Sequence, residues 1–106
     1  MNCGLENVNG FYSESFTPIQ TGFKVFDNLN ITQHSYSITP NVHCVTACPF
    51  LMITPKQGTY TAKIQGAQIE LDFKDERFPE FNFEGYFNCL TNELKTHNKT
   101  FIKEKF

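Results

Sequence analysis

The feature of this sequence that most constrains its fold is the alternation of polar and apolar residues over positions 58–73, GTYTAKIQGAQIELDF. Every second residue is apolar on both sides of the QGA step: Tyr60, Ala62 and Ile64 before it, then Ile69, Leu71 and Phe73 after it. Successive side chains of a β-strand point to opposite faces, so this period places each apolar set on one face. A short break that contains glycine is typical of a hairpin turn. The stretch therefore predicts a β-hairpin with one apolar face.

The same period recurs in residues 78–89, FPEFNFEGYFNC. One predicted face carries Phe81, Phe83, Phe87 and Cys89, and the opposite face carries Asn82, Glu84, Tyr86 and Asn88. Gly85 falls on the apolar face, where a strand glycine indicates a bulge or the close approach of another backbone. This segment is predicted to be a further strand.

The remaining segments are less regular. Residues 21–40, TGFKVFDNLNITQHSYSITP, are rich in β-branched and aromatic residues and predict one or two strands, broken at Asp27–Asn28 and ending at Pro40. Residues 1–22 predict an edge strand and a loop. The tail, residues 93–106, contains poor helix formers and a THN step that suits a turn, so we predict a last hairpin there.

These segments together predict an all-β protein of about six to eight short antiparallel strands, arranged as a small barrel or a sandwich. The chain has twelve Phe and no Trp, and aromatic rings from several strands are expected to fill the interior. No repeat or linker divides the sequence, so residues 1–106 are predicted to be a single β-domain.

Charge and motif content exclude several functions. The net charge is only −2, so the basic surface that nucleic-acid binding requires is missing. No window approaches the roughly 18 consecutive apolar residues of a membrane-spanning helix. The sequence has no nucleophile-elbow, zinc-protease or phosphate-loop motif, and we predict no catalytic residues, no cofactor and no metal site.

The four cysteines, Cys3, Cys44, Cys48 and Cys89, form an even set. In an exported small domain such a set predicts two disulfides, with three possible connectivities. We therefore expect a secreted or periplasmic protein whose signal peptide has been removed. Because Cys89 lies on an apolar strand face, we predict at least one bridge between distant segments. Cys3 has an alternative role, because CGLENVNG is similar to the lipidated start of a bacterial lipoprotein.

The segment CVTACP, residues 44–49, resembles the C-x-x-x-C-P motif of the Sco copper chaperones. The resemblance implies copper or zinc bound by Cys44 and Cys48 with His43 or His34, since thiolate and imidazole suit these metals. Those chaperones are thioredoxin-like, whereas this sequence predicts hairpins. A thiol or metal protein is kept as an alternative, and a structural disulfide is the prediction.

An acidic stretch is the predicted partner-binding site. It comprises Glu70, Asp72, Asp75, Glu76, Glu80 and Glu84, and a basic tail follows with Lys95, Lys99, Lys103 and Lys105. One interpretation is that these are two solvated faces that pair with each other across the sheet. The other is a docking surface for a basic protein, as in a small inhibitor or immunity protein.

Residues 58–73 and 81–94 also resemble the hairpins of small lipocalin-like and META-type lipoprotein domains, in which a Gly-x-Tyr strand turns into an alternating apolar strand. The resemblance implies a binding or envelope-associated module without catalytic residues. We therefore expect an exported, non-catalytic module that binds a protein or a small apolar ligand, through the barrel interior or one sheet face.

Overall fold

The computed structural model describes residues 3–46, 48, 50 and 54–104. Within them the strands are β1 (Gly10–Glu14), β2 (Phe23–Ile31), β3 (Ser35–Cys44), β4 (Lys56–Gln65), β5 (Gln68–Asp75), β6 (Phe83–Asn88), β7 (Glu93–Thr96) and β8 (Thr100–Lys103). Two short 3₁₀-helices, Leu5–Val8 and Pro79–Phe81, complete the described elements.

The eight strands form one closed barrel in which each strand pairs with its neighbours in the sequence and β8 pairs with β1. Every pairing is antiparallel. The prediction of an all-β protein of about six to eight antiparallel strands, arranged as a small barrel or a sandwich, is confirmed, and the arrangement is a closed barrel of eight strands. Among the described residues there is no helix long and apolar enough to cross a membrane.

The alternating stretch forms the hairpin of β4 and β5, as predicted. Its register runs from Gly58↔Asp75 to Gln65↔Gln68, which leaves Gly66 and Ala67 as the turn. Gly66 has φ of +64°, and glycine adopts this conformation at no steric cost.

The core lies inside the barrel, between the inward faces of its strands. Its fully buried side chains come from the first 3₁₀-helix and six of the eight strands: Val8, Tyr12, Leu29, Ile31, Ile69, Leu71, Phe73, Phe87, Leu94 and Phe101. Period two puts alternate residues inside, so β5 alone gives three of them, and burying each large apolar side chain contributes about 1.5 to 3 kcal/mol.

The prediction for residues 78–89 is confirmed except at its start. Gly85 and Phe87 face the core, and a Cβ atom at Gly85 would lie 3.3 Å from the Lys95 carbonyl oxygen, so the glycine permits a close backbone approach. The prediction that Phe81 shares this strand face is wrong, because Phe81 ends the 3₁₀-helix and is 39% exposed. Pro79 has no N–H for a ladder hydrogen bond and starts the helix instead.

Three predictions for the first half are corrected. β2 runs unbroken through Asp27–Asn28, and the chain reverses at residues 32–34 instead. β3 continues past Pro40 to Cys44, because beyond Ile38 it pairs with β2 alone, and a missing N–H is tolerated there. β1 is no edge strand, since it pairs with both β2 and β8.

Candidate functional site

One end of the barrel is closed by the N-terminal segment. Cys3 is disulfide-bonded to Cys89, which follows β6, with 5.8 Å between the Cα atoms. Between this bridge and β1 lies the 3₁₀-helix, whose Val8 is buried in the core. The Tyr12 hydroxyl donates a hydrogen bond of 2.5 Å to the Val8 carbonyl. The helix is thus fastened into the barrel as a plug.

The opposite end is open and holds a cleft of about 820 Å³, which we call the mouth cleft. Side chains from the barrel interior form its floor: Tyr36, Ile38, Phe83 and Phe101. Its rim and outer flank comprise Asp27, Lys56, Asp72, Phe81, Asn82, Glu84, Tyr86 and residues 95–99. A cleft of this volume can hold a drug-sized ligand.

The floor of the mouth cleft is aromatic. Tyr36 meets Phe73 edge-on, with 5.0 Å between ring centroids, and meets Phe83 edge-on at 5.8 Å. Phe73 and Phe83 stack at 4.4 Å. These mutual contacts hold the rings in place, so the floor is preformed.

The Tyr36 hydroxyl stands out within this floor. Tyr36 is 3% exposed, yet no hydrogen bond joins its hydroxyl to the described part of the chain. The hydroxyl oxygen is not among the wholly buried unpartnered atoms of the described side chains, which are limited to Asn9 Oδ1, so it reaches the surface of the cleft. Burial, together with the nearby charges of Asp75 and Glu76, raises the pKa of Tyr36 to about 12. The hydroxyl is therefore left protonated and available to a water or a ligand.

A cluster of charged residues forms one wall of the cleft. Lys99, in the turn between β7 and β8, donates to the Asp27 carboxylate and lies 3.6 Å from the Glu14 carboxylate. The Asp27 N–H donates to the same Glu14 carboxylate at 3.0 Å. Burial disfavours the Lys99 ammonium, but the hydrogen bond and charge of Asp27 and the charge of Glu14 outweigh it and raise the pKa of Lys99. Two carboxylates thus share one ammonium group.

Lys56 lies on the other side of the cleft. Its ammonium is 4.2 Å from the centroid of the Phe81 ring, which is within cation–π range. In the described ranges Lys56 has no ion-pair partner. The Phe81 ring thus makes a cation–π contact with the Lys56 ammonium at the rim of the cleft.

The acidic stretch predicted from the sequence divides into two groups. Glu70, Asp72 and Glu84 lie at outward positions of β5 and β6, where Asp72 is directly opposite Glu84. Of these, Asp72 and Glu84 border the mouth cleft.

The other acidic residues organise the loop after β5. The Asp75 carboxylate accepts the N–H groups of Arg77 and Phe78 at 2.8 and 2.9 Å, and these hydrogen bonds lower its pKa. Glu76 lies 3.7 Å from the Arg77 side chain. Glu80 is exposed in the 3₁₀-helix.

The interpretation that the basic tail pairs with this acidic stretch is wrong for its described lysines. Lys99 pairs with Asp27 and Glu14, and Lys95 lies 4.0 Å from Glu93. The remaining lysine, Lys103, donates to the Asn7 carbonyl at 2.6 Å. The reason is topological for Lys99 and Lys103, because β8 closes the barrel on β1, whereas Lys95 lies near Glu93 of its own strand. Lys105 lies outside the described residues.

The cysteine predictions are confirmed for both pairs. Cys3 and Cys89 are 86 residues apart in the sequence, so a bridge between distant segments is present, and Cys44–Cys48 closes a short loop with 5.2 Å between Cα atoms. The first bridge uses the thiol that a lipid anchor at Cys3 would need, so the two assignments exclude each other.

The arrangement around Cys44 does not favour the metal alternative. Both thiols are in the disulfide, and His43, adjacent to Cys44 on β3, points to the other strand face. His43 lies instead beside Phe16, with 6.0 Å between ring centroids. His34 is in the turn at the closed end of the barrel. Within the described residues no group of three or more His, Cys, Asp or Glu side chains could hold a metal ion. Ala47 and Pro49 of the CVTACP motif are not described.

Sequence analysis named several residues of the mouth cleft, Asp72, Glu84, Lys95 and Lys99 among them, but missed Tyr36, Lys56 and Asp27. These three come from separate strands, Glu14 contacts Asp27 from a fourth, and none of them belongs to a motif. One signal was present: Glu14 and Asp27 stand at strand positions whose neighbours two residues away face the core. A charged residue at an inward position indicates a buried ion pair or a site.

Comparisons with known proteins found no match to this chain. No protein-family model matches it, and neither does any curated protein or solved structure. The fold and the cleft therefore carry the functional argument: a closed eight-stranded antiparallel barrel with one plugged end and one open, aromatic end.

The raised pKa of Tyr36 predicts that the stability of the fold decreases at alkaline pH. Its pKa rises from 10.0 to about 12 on folding, so the folded state favours the neutral phenol. This contribution is complete below pH 10 and is lost as the pH rises toward 12. We expect the urea midpoint of the wild type to fall over this range by more than that of Tyr36→Phe, which has no phenol at this position to ionise. Parallel pH dependences of the two proteins would show that Tyr36 ionises freely in the fold.

Proposed function

We propose that this protein is an exported, non-catalytic binding module that takes a small ligand with an apolar body into the mouth cleft. The observation that carries the proposal is the floor of that cleft, where aromatic rings in mutual contact surround the Tyr36 hydroxyl, which has no described hydrogen-bond partner and reaches the cleft surface. Ligand sites combine an apolar lining with a few placed polar groups in this way.

The barrel geometry supports the proposal. An eight-stranded barrel has an interior that side chains can fill or that can hold one small ligand. Here the core fills the barrel interior, and the mouth cleft lies over the aromatic side chains at its open end. The resemblance of the β4–β5 hairpin to lipocalin-like domains supports the same function, because lipocalins are up-and-down barrels of eight strands.

The two disulfides support export. Disulfides form and persist in oxidising compartments and are rare in the cytosol. All described cysteines are paired, which supports the proposal of a secreted or periplasmic protein.

The proposal is tested by introducing a larger side chain at the floor of the mouth cleft. In Ile38→Trp an indole would occupy space beside Tyr36, and we expect the affinity for the neutral apolar dye N-phenylnaphthylamine to fall at least about tenfold, because a filled pocket cannot take the dye. Dye fluorescence, which increases in apolar surroundings, measures the binding.

Ile64→Trp is the matched control. Ile64 is 49% exposed and does not line the mouth cleft, so the same substitution there should leave dye binding unchanged. Equal dye affinities in the two variants, or no binding by the wild type, would contradict a ligand site in the cleft.

A further inference from the structure

We infer that the Cys44–Cys48 disulfide is a thiol–disulfide exchange site, at which an external thiol attacks the exposed Cys48. The substrate class is a thiol, and the inference is independent of any ligand in the mouth cleft. The juxtaposition that carries it is an exposed disulfide at the tip of a β-ribbon that projects beyond the barrel and takes no part in the core.

The two disulfides differ in their access to solvent. Cys89 is 8% exposed and belongs to the hydrophobic core, and Cys3 packs against that core. Cys48, in contrast, is exposed, and Cys44 is half-buried at the end of β3. The rate of exchange depends on access to a sulfur atom, and exposed disulfides are the labile ones. Of the two bridges, Cys44–Cys48 is therefore the one that a thiol can reach in the folded protein.

The exchange site lies on a two-stranded ribbon, residues 23–27 of β2 with residues 40–44 of β3. β2 pairs with β1 only from Asn28 onward, and β3 pairs with β4 only as far as Ile38. Within the ribbon each strand therefore pairs with the other alone, and Cys44 is opposite Phe23 at its tip. The ribbon is described throughout, and none of its residues is buried. Opening the disulfide thus leaves the barrel core unchanged.

Hydrogen bonds hold the tip of the ribbon independently of the disulfide. The Val45 N–H donates to the Gly22 carbonyl at 2.9 Å, and the Gly22 N–H donates to the Thr46 hydroxyl at 2.7 Å. These bonds join the two strand ends next to Cys44. The bridged cysteines are also only 4 residues apart, so loss of the bridge frees little chain entropy. The ribbon can therefore keep its fold in both redox states.

The charges near the tip favour the leaving thiolate of Cys44. His43 precedes Cys44, and Lys24 is opposite His43 in the β2–β3 register. The sequence contains no Asp or Glu from position 28 to position 69. The acidic residue of β2, Asp27, is paired with Lys99. Because positive charge beside a cysteine stabilises its thiolate, these surroundings make Cys44 a good leaving group.

The exchange step is balanced by the thiol that drives it. The external thiolate attacks the Cys48 sulfur and forms a new S–S bond, while the Cys44–Cys48 bond breaks and its electron pair leaves on the Cys44 sulfur. The Cys44 thiolate then takes a proton from water. A second thiol attacks the mixed disulfide and releases Cys48 as a thiol. Two external thiols are thus oxidised to one disulfide, and the protein disulfide is reduced to two thiols.

The test compares the two bridges in one sample of the folded, oxidised protein. Reduced glutathione is the probe in one arm and the dithiol protein thioredoxin in the other, which distinguishes a small thiol from a protein thiol. Free thiols are blocked with N-ethylmaleimide at timed intervals and located by peptide mass spectrometry. We expect Cys44 and Cys48 to be labelled at least about tenfold faster than Cys3 and Cys89 in at least one arm, with an unchanged circular dichroism spectrum.

Charge variants test the surroundings of the leaving thiolate. Lys24→Glu places a carboxylate near Cys44 and should slow reduction of the bridge at least about threefold, an effect that added salt decreases. Lys74→Glu is the matched control, because it makes the same change of net charge at an exposed position of β5, outside the ribbon. It should leave the rate unchanged. Equal slowing in both variants would contradict a role for the positive charge at the tip.

The outcomes that would overturn the inference are specific. No reduction in either arm, equal labelling rates for the two bridges, or faster labelling of Cys3 and Cys89 would each do so. Reduction of Cys44–Cys48 only together with loss of the circular dichroism signal would also overturn it, because the bridge would then react only in the unfolded chain. None of these results bears on the mouth cleft, whose ligand site is tested separately by the dye.

Discussion

Replacing both Cys3 and Cys89 by serine is expected to lower the free energy of unfolding by about 4 to 5 kcal/mol. The two cysteines are 86 residues apart in the sequence, so the bridge closes a loop that is nearly the whole chain and restricts the unfolded state strongly. A small domain has a total stability of only about 5 to 15 kcal/mol, so this loss takes away a large part of it. Urea unfolding followed by circular dichroism measures the change.

The matched control is the pair Cys44→Ser and Cys48→Ser. Its cysteines are 4 residues apart, and the same loop-closure relation gives only about 2 kcal/mol. We expect the first variant to unfold at a clearly lower urea concentration than the second. Equal midpoints would contradict the expectation that the Cys3–Cys89 bridge restricts the unfolded chain more strongly than the Cys44–Cys48 bridge does.

The sequence predicts those parts of the fold that depend on neighbouring residues. In the β4–β5 hairpin, each pair from Gln65↔Gln68 outward is set by the turn and by the alternation on either side. A shift of one residue would turn Ile69, Leu71 and Phe73 to solvent, so the pattern fixes the register as well as the strands.

Closure of the barrel could not be predicted in the same way. It depends on pairing of β1 with β8, for example Tyr12↔Lys103, between segments at opposite ends of the chain. No local pattern distinguishes a strand that pairs on both sides from an edge strand. A barrel and a sandwich therefore both fitted the sequence.

The candidate site was hidden for a related reason. Asp27 and Asn28 form a dipeptide that is common in turns, so the sequence predicts a break between strands there. In the barrel Asp27 is held within β2 by Lys99, which is 72 residues away in the sequence. A charged residue is stable at this inward position only because a distant loop supplies its partner, and that partner cannot be identified from local sequence.

The largest effect is expected for Leu71→Asp. Leu71 has no exposed surface and lies between Ala62 of β4 and Gly85 of β6, at the centre of the core. A carboxylate there would be buried without a partner, and the leucine contacts would also be lost. We expect the free energy of unfolding to fall by about 5 kcal/mol or more, which leaves little or no folded protein. Thermal unfolding followed by far-ultraviolet circular dichroism would show no cooperative transition.

Two further variants make this prediction quantitative. Leu71→Ala keeps the site apolar and should cost about 2 to 5 kcal/mol, so its loss can be measured on a folded protein. Thr59→Asp introduces the same carboxylate at an exposed, outward position of β4 opposite Lys74, and should change stability by at most about 0.5 kcal/mol. If Thr59→Asp were as damaging as Leu71→Asp, the two faces of the β4–β5 hairpin would be reversed. The mouth cleft would then lose its floor, because Tyr36 packs on Phe73, which shares the inward face with Leu71.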